Sequence, residues 1–584
     1  MPNPDPKWWK DAVCYQVWPA SFKDSNGDGL GDIPGVISKL DYLKSLGIDC
    51  IWLSPMYDSP RHDQGYDIRD YKNVDPAFGS LNDMDDLIKG VHNRGMRIIL
   101  DLVVNHTSNE HMWFRESAKS RDNPYSDFYI WRDPKVVDGK ICPPTNWASI
   151  FFGGSAWKYV EARDQYYFHL FLDSQPDLNW ENEEVRKAIY ESAIKFWLDR
   201  GVDGFRVDAV NVYSKNLESD APITDPKDEF QFPDFKDVAN GPKMHEWLEE
   251  QRREALGRYG GEKDIVLVGE LGFSTDEQFF AYIDPKKRML DMVFDWGVLL
   301  AEDEMMTPWT ERRTEFSLKA FRHGLSRPQK AISDFGCWST VFLENHDQQR
   351  SVIKFGSRKA EYRWQSARLL TMLLCTLSGT LFIYQGQEIG MSGVPRDWPL
   401  SDLNDPWWLS YIKDMERKHP GDEVMKQKVL DAFHRDGRDH ARTPVQWSSE
   451  EPYAGFSTSK PWLRVNENFR DGVNVKAQEG DLDSCLSFWK KCIAFRKEHK
   501  DLLTYGHTEW LDKDNEKVFL YLKHSPNDET TMLVVLNFTD NGQEWQMPEE
   551  FSTRTSEVVM TTGKSNSQGS RELEPWEGIA MSFK

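Results

Sequence analysis

Cysteine is scarce in this chain of 584 residues. Seven are scattered, at 14, 50, 142, 337, 375, 485 and 492, and no CxxC pair occurs. That pattern excludes a disulfide framework and offers no zinc-site spacing. Positive charge is also in deficit. Lysine and arginine total 72 against 95 acidic residues, a formal net charge of −23. Such a field repels polyanions, so neither nucleic acid nor an anionic membrane is an expected partner. A neutral substrate is indifferent to it. Long apolar runs are missing too. The longest uncharged stretch, Leu369 to Tyr384, contains Ser378-Gly379 and falls short of the roughly 20 residues a membrane span needs. It reads as a buried helix running into a buried strand. The start, MPNPDPKWWKDAV, has no apolar core of a secretory signal. These absences together point to the cytoplasm.

What is present is length, aromatic residues and a repeating pattern. The length prior allows roughly three to four units. One large barrel with insertions, of about 200 to over 400 residues, plus a smaller domain fits equally. The 24 Trp, 20 Tyr and 32 Phe suit either a large core or aromatic platforms for sugars, and composition does not separate the two. Strands are expected at Ala12–Trp18, Cys50–Leu53, Arg97–Val104, Gly204–Ala209, Ile265–Gly269, Met292–Asp295, Ser339–Leu343 and Leu381–Gln385. Arg97–Val104 is apolar with almost no alternation, as in parallel strands buried on both faces. Between the strands lie amphipathic segments. Ile33, Val36, Ile37, Leu40, Leu43 and Leu46 share one helical face, with Gly47 placed to end it. Further helices are expected over about 82–94 and 183–200. Eight strands alternating with helices predict a closed (β/α)8 TIM barrel.

The alternation breaks twice. The Trp-, Tyr-, Asn- and Pro-rich stretch from about 108 to 182 reads as a domain inserted after strand 3. Residues 391–478 read as long surface loops. After about 507, Val518–Lys523, Met532–Phe538 and Glu557–Met560 suggest a C-terminal antiparallel β-sandwich domain. The expected division is 1–107 and 183–506 for the barrel, 108–182 for the insertion and 507–584 for the last domain.

Active sites of such barrels form at the C-terminal ends of the strands. Strand 3 ends in Asp101–His106 (DLVVNH), strand 4 in Arg206-Val207-Asp208, strand 5 in Gly269-Glu270 and strand 7 in Asn345-His346-Asp347. A lone strand-end carboxylate is usually just solvated. Four strands delivering carboxylates and imidazoles to one rim form a constellation. Arg206 and Asp208, two apart, project to the same side. The arginine favours an ionised carboxylate, as a nucleophile requires. Glu270 follows the apolar run Ile265–Val268, and partial desolvation would raise its pKa towards that of a general acid. Retaining glycoside hydrolysis uses such a pair about 5–5.5 Å apart.

Eight motifs carry a resemblance over nearly the whole chain: GYDIRDY at 65–71, DLVVNH at 101–106, QPDLNW at 175–180, GFRVDA at 204–209, VGE at 268–270, ENHDQ at 344–348, YQGQEIG at 384–390 and ARTPVQW at 441–447. The chain resembles glycoside hydrolase family 13, the α-amylase family, and within it the fungal maltase/isomaltase group and bacterial oligo-1,6-glucosidases. The resemblance implies an exo-acting, retaining α-glucosidase, active as a monomer on small α-glucosides without a catalytic cofactor. It implies Asp208 as nucleophile, Glu270 as acid/base and Asp347 as third carboxylate. His106, His346 and Arg206 would serve the transition-state site. Asp63 and Arg442 resemble the pair that closes the nonreducing end. Tyr66 resembles the floor under the glucose ring. Phe152, Phe171 and Gln175 resemble pocket walls, with a core role equally open for the two phenylalanines. Asp101 is expected to orient Arg206.

Two departures stand out. The residue after the nucleophile is Ala209, where Val in this group goes with α-1,6 substrates and Thr or Ala with α-1,4. Three residues after the acid/base stands Phe273, where fungal relatives often have His. A sucrose isomerase would carry an R-x-D-R-D loop, and none occurs. A non-enzymatic transporter-associated homologue would have a membrane anchor and an eroded triad. Finally, DSNGDGLGD presents Asp24, Asn26, Asp28 and Asp32 with glycines between. Oxygen donors at alternate positions suit Ca²⁺. Relatives carry calcium in a similar loop, with the Leu30 carbonyl as a further ligand.

Overall fold

The computed structural model describes residues 7–583 except 153, 227, 260–263, 273, 300–308, 313–314, 528 and 564–570. Eight parallel strands form one sheet: β1 (Val13–Val17), β2 (Cys50–Leu53), β3 (Arg97–Leu102), β4 (Gly204–Val207), β5 (Val266–Leu271), β6 (Met292–Asp295), β7 (Thr340–Val341) and β8 (Thr380–Tyr384). The order runs β6-β5-β4-β3-β2-β1-β8-β7. The barrel closes where Thr340 Oγ1 donates to the Val293 carbonyl at 2.9 Å, joining β7 to β6. All eight expected strands are present. β1, β2, β6, β7 and β8 are buried throughout, which is why their sequences read as continuous apolar runs.

Register decides what meets at the rim. Arg206 on β4 pairs with Asp101 on β3 and with Val268 on β5, so Asp101, Arg206 and the end of β5 lie side by side. The helices pack outside. Leu81–His92 opens with a capping box between Ser80 and Asp83, which satisfies two orphan N–H groups reciprocally. The face from Ile33 to Leu46 is not one helix. It divides into Ile33–Ile37 and Leu40–Leu46, and Gly47 ends the second with φ +98°. A side chain there would be strained, and its Cβ would lie 2.8 Å from Ile493 Cγ2. Glu183–Asp199 runs on as helix, with a π-helical stretch at Tyr190–Lys195. The uncharged stretch is indeed the end of the helix Arg363–Thr376 followed by β8. Among the described residues, no helix is long and apolar enough to cross a membrane. All seven cysteines are unpaired.

The insertion carries a three-stranded antiparallel sheet with Gln165–Phe168 between Trp131–Arg132 and Trp157–Val160. It is anchored to the rim by a buried ion pair. Lys215 Nζ lies 2.7 Å from Asp177, which also accepts from Asn105 Nδ2 at 3.0 Å and the Leu170 N–H at 2.8 Å. The segment 391–478 contradicts its reading as loops alone. It contains the helices Pro406–Lys418 and Glu423–Asp436, capped by Asp405 and Asp422. The C-terminal domain is a five-stranded antiparallel sheet, His507–Leu511, Val518–His524, Thr531–Asn537, Gly578–Phe583 and Ser556–Thr561 in spatial order. Phe519 and Tyr521 face the barrel core while Val518, Leu520 and Leu522 face a second cluster, the period-2 alternation of a strand covered on both sides. The covering layer is thin, made by Trp545, Phe551 and Leu573 beside the short pair Gln543–Glu544 and Glu572–Leu573.

Candidate active site

The centre of the rim is one guanidinium. Arg206, 1% exposed, places Nη1 2.5 Å from Asp101 and 2.6 Å from Asp208, and Nη2 2.8 Å from Glu270. Three carboxyls from β3, the end of β4 and β5 therefore share a single cation. Asp101 accepts in addition from Trp52 Nε1 at 2.9 Å and Tyr66 OH at 3.3 Å. It is fully buried behind the arginine and orients it. Glu270 also accepts the Ala209 N–H at 3.0 Å. Ala209 reaches this position with φ +42°, a left-handed conformation uncommon for residues other than glycine.

Burial dominates the charge states here. It pushes Asp208 up to about 7 and Asp101 up to about 6, with Arg206 pulling the other way. Burial likewise raises Glu270. Arg206 favours ionised Asp208, as the sequence suggested, but burial outweighs it. One cation divided among three buried carboxyls does not offset the loss of water from each.

Asp347 has the opposite surroundings. Burial opposes its ionisation, yet His346, Arg438 and Arg442 together hold its carboxyl well below the usual range. Arg442 Nη2 lies 2.7 Å from Asp347, Arg438 Nη1 3.5 Å and His346 Nε2 3.1 Å. Arg442 also stacks over Trp18 at 4.6 Å. The expected Asp63–Arg442 pair does not form. Asp63 pairs instead with Arg438, at 3.2 Å, and Arg438 is held in turn by Asp405 at 2.7 Å. The reason is local. Asp405 caps Pro406–Lys418 through the Trp407 N–H and draws Arg438 across to Asp63, while Arg442, four residues on, faces Asp347.

Around these charges the pocket is aromatic and amide-lined. Tyr66 and His346 stack at 5.3 Å with 5° between planes, and Tyr66 OH lies 2.7 Å from His346 Nε2. Gln175 donates to Asp63 at 3.1 Å and the Tyr66 carbonyl at 3.3 Å, and lies 3.2 Å from His106 Nε2. Phe171 packs on His106 at 5.1 Å. Phe152 does not join this wall. It has φ +56° and turns to Tyr411 at 4.8 Å and Phe232 at 5.2 Å. Its neighbour Phe151 takes the place, against Phe171 at 5.4 Å and stacked on Trp407 at 5.6 Å. Phe273 lies outside the described residues. The sequence reading missed Gln16, Trp18, Phe151, Trp407, Asp405 and Arg438. Gln16 holds His346 Nδ1 at 2.8 Å and Trp18 stacks on the same ring at 5.2 Å. Their position at the end of β1 was the available signal.

The acidic loop after β1 is tightly self-bonded. Asp24 accepts the N–H groups of Asn26, Gly27 and Gly29 at 3.0, 2.6 and 2.9 Å. Asp28 accepts the Leu30 N–H at 2.8 Å, and Asn26 Nδ2 lies 3.2 Å from Asp28 Oδ2. Asp24, Asn26 and Asp28 thus lie within one short turn, and Asp24 accepts from Ser457 Oγ as well. Asp32 does not join them. It caps the helix Ile33–Ile37 through the Gly35 N–H at 2.6 Å and binds Ser25 through its other oxygen. Among the described residues no cluster of three or more His, Cys, Asp or Glu is arranged to hold a metal.

The catalytic-domain model "Alpha amylase, catalytic domain" matches residues 16–506. The chain belongs to the α-amylase family. Among curated family members it is 48% identical over 538 residues to a Candida albicans alpha-glucosidase, covering 91% of this chain and 92% of that protein. It is 43% identical to a Saccharomyces cerevisiae oligo-1,6-glucosidase, with 98% of each covered. Among solved α-amylase-family structures, isomaltulose synthase of Erwinia rhapontici with sucrose superposes with a TM-score of 0.90 at 36% identity, over 100% of both chains.

Proposed function

We propose that the chain is an exo-acting, retaining α-glucosidase that removes terminal α-linked glucose from short glucosides. The observation that carries this is the shared guanidinium. Asp208 and Glu270 bond to adjacent nitrogens of Arg206, which favours the short carboxyl spacing of double displacement, about 5–5.5 Å, over the about 6.5–9.5 Å of inversion. Asp208 attacks the anomeric carbon while Glu270 protonates the leaving oxygen. Glu270 then deprotonates the water that releases glucose. Asp347, kept charged by its arginines, holds ring hydroxyls and stabilises the oxocarbenium-like transition state. The bridge Asp63–Arg438–Asp347 closes one end of the pocket, which supports attack at chain termini. NMR of the first product tests the mechanism: α-glucose supports retention, and initial β-glucose overturns it.

Linkage choice rests on Ala209, whose small side chain stands beside the bond being cut. An α-1,4 aglycone leaves through a ring carbon and crowds this wall. An α-1,6 aglycone leaves through a methylene and swings away. A preference for maltose over isomaltose follows, with about 1–3 kcal/mol at stake per methyl or two in a tight pocket. Similarity to proteins named oligo-1,6-glucosidase favours isomaltose as the second reading. kcat/KM on both disaccharides decides. Ala209→Val should shift the ratio towards isomaltose by roughly 10- to 200-fold. Because φ is positive here, Ala209→Gly is the control for backbone strain and should leave the ratio near wild type. The R-x-D-R-D loop of a sucrose isomerase is absent, so hydrolysis is preferred to isomerisation. We further propose one structural Ca²⁺ on Asp24, Asn26, Asp28 and the Leu30 carbonyl, remote from the reaction. Residence in the cytoplasm as a monomer completes the reading, supported by seven unpaired thiols.

A further inference from the structure

A second cavity of about 720 Å³ opens on the same rim, outside the glucose pocket. Its walls come from the turn after β6, the start of the helix Leu318–Ser333, the segment after Asp347, the loop after β8 and the end of Glu423–Asp436. None of the three catalytic carboxylates, nor Tyr66, Arg438 or Arg442, lines it. Its size is within the range of small-molecule sites, about 300–1,000 Å³.

The lining has a distinct chemistry. Five basic side chains, Lys354, Arg358, Arg363, Arg396 and Arg435, meet three acidic ones, Glu315, Asp431 and Asp436. Asp431 is engaged by Arg396 at 3.0 Å, and Asp436 by Arg435 at 2.7 Å and Lys354 at 3.8 Å. The cavity is therefore net positive inside a chain of formal charge −23. Arg363, half-buried at the first position of the helix Arg363–Thr376, makes no ion pair among the described residues. Phe316, Phe321 and Phe355 supply an apolar patch, with ring centroids 4.7–6.1 Å apart.

We propose that this cavity is a second binding site, for a phosphorylated hexose. The phosphate would be taken by Arg363, as guanidinium groups recognise it through paired N–H donors. The apolar face of the pyranose would lie on the phenylalanine patch. Gln349 donates to the His434 carbonyl at 3.0 Å and stands two residues from Asp347, so an occupied cavity abuts the catalytic loop without entering the glucose pocket.

The test titrates glucose 6-phosphate, glucose and inorganic phosphate separately into the full-length protein by calorimetry and thermal shift. Steady-state inhibition by glucose 6-phosphate is measured alongside. Expected are saturable binding of glucose 6-phosphate that does not compete with substrate, and weaker binding of either half alone. Arg363→Ala should weaken that binding roughly tenfold or more, the scale of one charged hydrogen bond, with turnover unchanged. Arg363→Lys should recover part of the loss, which separates recognition from misfolding. Absence of saturable binding, indifference to Arg363→Ala, or purely competitive inhibition overturns the proposal. Equal affinity for inorganic phosphate overturns the sugar assignment.

Discussion

Replacing Asp208 with Asn should abolish turnover and, at alkaline pH, make the protein more stable. Burial pushes Asp208 up to about 7, against an ordinary value of about 3.9 in the unfolded chain. A carboxyl whose folded value is raised stabilises the fold while protonated. That contribution is complete below the unfolded value and is lost as pH rises through the folded one. The window runs from about pH 4 to about pH 7. At pH 8 the wild-type fold carries a fully ionised, desolvated Asp208. Three pKa units at 1.36 kcal/mol each set an upper limit of about 4 kcal/mol. Sharing of Arg206 with Asp101 and Glu270 spreads this over a coupled cluster, so about 1–3 kcal/mol is the working figure. Asparagine removes the charge and keeps the shape.

Thermal unfolding at matched scan rates should therefore give Asp208→Asn a higher Tm than wild type at pH 8. The gap should narrow as pH falls and close by about pH 4. Loss of kcat of roughly 10⁴-fold or more accompanies it, as for removal of a covalent nucleophile. A variant that is less stable than wild type by the same margin at both pH values would refute the reasoning, because the charge would then be paired well enough to favour the fold.

The remaining expectations can be checked with single variants. Arg438→Ala leaves Asp63, Asp347 and Asp405 without a shared cation. Breaking a buried pair costs about 3–5 kcal/mol, so kcat/KM on maltose should fall roughly 100-fold or more, with partial recovery in Arg438→Lys. Phe151→Ala should raise KM, whereas Phe152→Ala should lower Tm with KM unchanged; the reverse result would restore Phe152 to the pocket wall. Chelation by EDTA, or Asp24→Ala, should lower Tm more than kcat, and a metal analysis showing no bound calcium in the untreated protein would count against the loop site.

The barrel was readable because eight short, mostly apolar segments alternating with amphipathic helices are best buried in a parallel sheet, and each is found there. The helix at 33–46 was misjudged because an apolar face says nothing about a break at Ser38–Lys39 on its outer side. The two helices within 391–478 were missed for a different reason. Aromatic and charged residues are mixed there, but Asp405-Pro406 and Asp422-Glu423 are N-terminal signals of the kind that mark helix starts. Site residues at strand ends were legible since strand direction fixes the rim they reach. The partner of Asp63 was not. Arg438 and Arg442 are four apart, and only the pull of Asp405 decides which of them crosses to Asp63. Phe151 and Phe152 pose the same problem in miniature, because a positive φ at Phe152 sends adjacent side chains to different clusters.

On the proposed mechanism, the distribution of cations accounts for the division of labour among the three carboxylates. Asp347 has two arginines close by, one of them at 2.7 Å, so it remains charged through the cycle and cannot take part in proton transfer. Asp208 and Glu270 have one arginine between them and share it with Asp101. A second arginine on that side would ionise both and leave no acid to protonate the leaving oxygen. With none, both would hold protons and no nucleophile would be available. A single shared cation leaves the pair with a proton that either carboxyl can hold at little cost. When Glu270 keeps it, Asp208 is the anion, which is the arrangement needed for attack. After the glucosyl–Asp208 ester forms, the nucleophile's charge is gone and Glu270 has surrendered its proton, so Arg206 still faces one anion of the pair, now Glu270, which can act as base. The change of role from acid to base thus follows from the transfer of that one charge across Arg206, without movement of the backbone.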